Sequence, residues 1–108
     1  MQTATELLPV ILDAAKRLDE RADRNRASDV RLAMGNMLGA LERFLSYQDE
    51  NCQEASRLLA QTPVDRLATI FAAIERAAQL HSQDKRIAAL AAEAHEAAKE
   101  LLLPVLTR

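Results

Sequence analysis

The sequence predicts an all-α fold, an antiparallel up-down bundle of four principal helices, and three observations lead there. Alanine and leucine dominate, aromatic residues make up only 3% and Trp is absent. Such a composition favours helices, because strands draw on β-branched and aromatic side chains. Apolar residues recur at three- and four-residue spacing through most of the 108 residues, the period of a helix with one buried face. The polar breaks between these runs are short, which makes sequential helices antiparallel neighbours. The length suits one helical-bundle domain, residues 1–108, with a modest core.

The first helix opens with the capping box "TATE" at residues 3–6, in which Thr3 and Glu6 satisfy each other's backbone N–H groups. Its apolar face reads Leu7, Leu8, Ile11, Ala15, Leu18 and Ala22, with Asp13/Arg17 and Glu20/Arg24 spaced for i,i+4 pairs opposite. Pro9 conflicts with a helix begun at Thr3, so a kink or a late start is expected there. The polar run "RADRNRASD" ends the helix near Asn25, and Ser28 is the expected N-cap of the next.

The second segment repeats in heptads, with Met34, Leu41, Gln48 and Ala55 in one position and Met37/Leu38, Phe44/Leu45 and Leu58/Leu59 between them. One helix over 29–60 would span roughly 48 Å at 1.5 Å per residue, well beyond its neighbours. A break is therefore expected near residues 47–51, with Asp49 as a second N-cap. "QTPVDRL" marks the clearest helix start: Thr62 caps, Pro63 takes the first helical position and Asp65 sits in the first turn. The third face then runs Val64, Leu67, Ile70/Phe71, Ile74 and Ala77/Ala78. After the "HSQD" turn, the last helix carries Ile87, Leu90/Ala91, Ala94, Ala98 and Leu101/Leu102, and Pro104 is expected to stop it. Leu38, Leu41, Leu45, Leu67, Phe71, Ile74 and Leu90 are expected to share one core.

The bulk chemistry narrows the function. Net charge is -2 and evenly spread, with no basic stripe and no aromatic residues interleaved with arginines, so no nucleic-acid partner is expected. A lone cysteine, Cys52, excludes an intramolecular disulfide and fits a reducing cytoplasm. No signal-like segment begins the chain and no apolar run approaches the ~20 residues of a membrane span. A cytoplasmic protein with no membrane partner is the expectation. Eleven arginines against three lysines fit a GC-rich bacterial genome.

Candidate chemistry is sparse. His81 continues the Leu67–Ile74 face at the end of its helix, where an imidazole complements exposed carbonyls and reads as structural. His95 lies at the edge of the apolar stripe beside Glu96 and Lys99. Histidine phosphotransfer domains are helical bundles of about this size, but they need a lysine three residues after the histidine and then a small residue. Here Lys99 follows His95 by four residues and Lys85 follows His81 by four. A diiron bundle needs paired Glu-x-x-His motifs, and neither histidine has a glutamate three residues before it. Glu93, Glu96 and Glu100 form a solvated face. Cys52 sits in an acidic stretch with no histidine nearby to activate it. No catalytic residues, metal ligands, cofactor or small-molecule substrate are expected.

Two surfaces point to a protein partner instead. The terminal runs "TELLPVILDAA" and "KELLLPVLTR" are apolar over a broader arc than a core stripe, and four antiparallel helices bring both to one pole. Leu7, Leu8, Val10, Leu12, Leu102, Leu103, Val105 and Leu106 are the expected contact residues there, because excess apolar surface marks a protein contact. The second face holds Leu32, Gly35, Gly39 and Ser46 in "MGNMLGAL" and its flanks. Small residues there let another helix come close. The expected function is a non-enzymatic protein–protein interaction module. It would be a small bacterial regulator, adaptor or inhibitor, homodimeric and acting through apolar helical surface. The alternatives are histidine-dependent, phosphotransfer-like signalling and a structural subunit of a larger assembly.

Overall fold

A computed structural model describes residues 3–50, 53, 54, 57, 61 and 63–106 of the chain. Among these are four helices and no strand: α1 (Ala4–Asp23), α2 (Ala27–Glu50), α3 (Val64–Leu80) and α4 (Lys85–Leu106).

The capping box forms as the sequence requires. The Glu6 N–H donates to Thr3 Oγ1 at 3.3 Å, and the Thr3 N–H donates to Glu6 Oε2 at 3.3 Å. With that start fixed, α1 runs through Pro9 without a late start. Pro9 cannot donate to the Thr5 carbonyl one turn back. Both residues are exposed, so water can satisfy that carbonyl. Asn25 ends the helix in the left-handed region, φ 54°, where asparagine is tolerated. Its N–H donates to the Ala22 carbonyl at 3.0 Å, half of a Schellman closure.

Several expected boundaries move. Ser28 is not the N-cap of α2. The helix starts at Ala27, and the Val30 N–H donates to the Arg26 carbonyl. The described part of α2 ends at Glu50, within the stretch where a break is expected, and Asp49 lies inside the helix and not at a cap; residue 51 lies outside those described. Pro63 is the N-cap of α3 and not its first helical residue: its φ of -57° suits a helix, but its ψ of 134° is extended. Its carbonyl accepts from Arg66 and Leu67. Thr62, the expected cap, lies outside the described residues, as do Cys52, Ala55, Leu58 and Leu59. Pro104 does not stop α4, which continues to Leu106. The Glu100 carbonyl that loses its donor belongs to an exposed residue and can turn to water.

The buried side chains follow the helical period. Leu7, Ile11 and Leu18 of α1, Met34, Met37, Leu41 and Phe44 of α2, Leu67, Ile70 and Ile74 of α3, and Ile87 of α4 are fully enclosed. In each apolar pair of α2 the first member is the core residue. Met37 and Phe44 are buried, whereas Leu38 and Leu45 are only half-buried. Phe71 and Leu90 are likewise half-buried, packed against the core from its edge. Alanines 91, 94 and 98 make the inner face of α4 thin.

Interhelical ion pairs fix the directions. Arg76, near the end of α3, pairs with Asp19 and Asp23 at the end of α1. Arg31, near the start of α2, pairs with Asp84 just before α4 at 3.4 Å. The chain therefore runs up, down, up, down, with the α1–α2 and α3–α4 turns at one pole. The start of α1 and the end of α4 share the other. The extensive contacts are α1 with α2, α1 with α3, α2 with α4 and α3 with α4. Thus α2 and α3, consecutive in sequence, lie on a diagonal and are not the packed neighbours that sequence order implies.

Candidate functional site

A groove of about 600 Å³ runs along the outer seam of α1 and α2. One wall is the α1 stripe Val10, Asp13, Ala14, Arg17 and Arg21. The other comes from α2, with Asp29, Leu32, Ala33, Gly35, Asn36, Gly39 and Arg43. Both stripes follow helical spacing on the side away from the core. The three-residue turn between the helices sets their register, so residues equally far from it face each other. Ala14 lies opposite Asn36 on this basis, Val10 lies toward the Arg43 end, and Arg21 toward the Asp29 end.

Leu32 is 68% exposed, the most of any large apolar residue among those described, and Val10 is 38% exposed. A leucine left in water forgoes roughly 1.5–3 kcal/mol of burial. Gly35 and Gly39 are the only glycines in the sequence, and both adopt ordinary helical backbone rather than positive φ. A Cβ built on Gly35 would meet nothing within 4 Å, and one on Gly39 would meet only Arg43 Nη1 at 3.8 Å, an ordinary contact. Neither the backbone nor the packing of this chain requires a glycine at either place. Asp13 pairs with Arg17 at 3.1 Å and Asp29 approaches Arg26 at 3.9 Å, while Arg21 and Arg43 have no ion pair among the described residues. Of the second expected face, Leu32, Gly35 and Gly39 line this groove; Ser46 is exposed on the same helix beyond it.

At the terminal pole the expected contact residues divide. Leu7 and Leu8 are buried in the core and offer no surface to a partner, and Leu12 is half-buried against it. Two residues per turn point inward at the start of α1, where the core needs both. Leu103 stands 51% exposed, and Val10 belongs to the groove. The side chains of Leu102, Val105 and Leu106 lie outside those described.

At the opposite pole Asp84 caps α4. Its Oδ1 accepts from the Arg86 N–H at 3.0 Å and the Ile87 N–H at 3.3 Å. The Ile87 hydrogen bond foremost, with help from Arg86 and Arg31, holds its carboxyl below the usual carboxylate range. His81 is 8% exposed at the end of α3, and its Nε2 finds no hydrogen-bond partner among the described residues. His95 lies half-buried with its ring edge-on to Phe71, centroids 5.1 Å apart, and so packs α4 on α3. No group of three metal-ligating side chains occurs among the described residues, and none of their helices is long and apolar enough to cross a membrane.

No family model, curated protein or solved structure matches the chain. The site rests on geometry alone. Sequence reasoning found α2's half of the groove from its glycines but missed the α1 wall, because Asp13/Arg17 reads there as a surface i,i+4 pair and Val10 as part of the terminal run. It also missed Asp84, although an aspartate directly before an apolar-periodic run is a recognisable N-cap signal.

Proposed function

We propose that this chain is a non-enzymatic protein–protein interaction module that self-associates, a small bacterial regulator, adaptor or inhibitor acting in the cytoplasm through its helical surface. The observation that carries this reading is Leu32, two-thirds exposed on a helix whose glycines its own fold does not use. Each glycine inside a helix costs about 1 kcal/mol relative to alanine, and an approaching helix would recover that cost through closer packing. The enclosure of His81 at a helix end and the edge-on packing of His95 against Phe71 suit structural roles for both.

Sedimentation velocity on the full chain, from micromolar to hundreds of micromolar, tests the reading. Wild type should associate as concentration rises, and Leu32→Glu should remain monomeric with unchanged helical circular dichroism. A wild-type chain that stays monomeric throughout would refute self-association.

A further inference from the structure

We propose that the α1–α2 groove is an isologous interface, in which a second copy docks across a two-fold axis that passes over Ala14 and Asn36 perpendicular to the helices. This rests on the self-association proposed above and assigns its surface, partner and register.

The distribution of charge along the groove carries the inference. On α2, Asp29 and Arg43 each lie two helical turns from Asn36, one toward each end, about 10 Å along the axis. A two-fold rotation about Asn36 lays α2 antiparallel on its copy, so each Asp29 meets the Arg43 of the second copy. On α1, Asp13 and Arg17 form their own pair beside the axis, and Arg21 lies at the Asp29 end. The two ends of the α2 wall are thus opposite in charge, and the rotation makes them complementary to each other. An isologous contact requires this kind of self-complementarity.

Shape follows the same axis. Leu32 lies about one turn from Asn36 on one side and Gly39 about one turn away on the other. The rotation sets the exposed Leu32 over the Gly39 of the second copy, where only the tip of Arg43 stands near the missing Cβ. Arg43 moves off Gly39 to reach Asp29, and the leucine takes the space. Asn36 meets its own copy at the axis, where two amides can donate to and accept from each other. About an axis at Asn36, α2 overlaps its copy for about nine residues on each side, from its start at Ala27, roughly 27 Å in all. Two helices with side chains present a width of roughly 20 Å. That is roughly 540 Å² per copy, at the small end of specific interfaces, where association is weak.

Charge reversal tests the register on the full chain, with helical circular dichroism as the check on folding. Asp29→Arg alone sets arginine against arginine across the axis, and Arg43→Asp alone sets aspartate against aspartate. Each should weaken self-association at least about tenfold. An equimolar mixture of the two variants should form heterodimers at wild-type strength, because every facing pair is then opposite in sign. The double variant Asp29→Arg/Arg43→Asp should also self-associate again. If wild type associates but the mixture and the double variant do not recover, this register is wrong while self-association stands. If only Arg21→Asp rescues Asp29→Arg, the copies pair α1 on α2 and the proposed axis is overturned. A wild-type chain that never associates refutes both.

Discussion

Asp84 sits where three physical effects meet: an N-cap, an interhelical ion pair, and a turn that must redirect the chain into α4. Its carboxylate accepts two backbone N–H groups of α4 and faces Arg31 of α2. Because these contacts favour the charged form, the folded-state pKa lies below the ordinary value. Their stabilisation is present above the unfolded-state pKa and is lost as pH falls through the lowered folded value. Asp84→Asn should therefore unfold at lower denaturant than wild type near neutral pH. The gap should narrow as the pH drops through and below about 3.9, the ordinary aspartate value. A gap that is constant from neutral to strongly acidic pH would mean that the charge contributes nothing. At the core, Leu41 and Leu67 are fully enclosed, and Leu→Ala at either should cost about 2–5 kcal/mol. A half-buried residue such as Leu45 has less contact to lose, so Leu45→Ala should cost less in the same urea titration.

At the scale of the element, α2 is unusual in carrying both glycines within one helix. Intrachain space accepts a methyl group at each position. Gly35→Ala and Gly39→Ala should therefore each stabilise the isolated fold by about 1 kcal/mol, measured by thermal or urea unfolding at low concentration. Gly39→Ala should at the same time weaken self-association, because the added methyl occupies the place assigned to Leu32 of the second copy. Stability and association moving in opposite directions is the signature sought. If both rise together, the glycine has no role in assembly. Much of the helical layout was legible from the sequence, since spacing alone assigns the buried faces of α1, α3 and α4. Asp49, Pro9 and Pro104 are local signals for starts and stops, and each lies inside a helix that its turns hold together. Ser28 lies one position inside the start of α2, as the helix begins at Ala27. The phase of α2 was half legible, because adjacent apolar pairs such as Met37/Leu38 do not reveal which member faces inward.

At the scale of the molecule, the placement of α2 and α3 on a diagonal was not legible, because sequence order carries no record of which helices touch. That placement separates two faces that could otherwise be confused. Leu32 lies near the α1–α2 turn, whereas Leu103 lies at the far pole, near the end of α4. Both are more than half exposed, so a glutamate at either can keep its charge in water and leave the folded monomer nearly as stable. They differ in what assembly would bury. If copies pair through the groove, Leu32→Glu places an unpaired carboxylate against the Gly39 backbone of the second copy, which is strongly unfavourable in a dry contact. Leu103→Glu then leaves the interface untouched. Light scattering at matched concentration should therefore report a monomer for Leu32→Glu and wild-type mass for Leu103→Glu. The reverse result would move the interface to the terminal pole, where Leu103 remains exposed even though Leu7 and Leu8 are enclosed by the core.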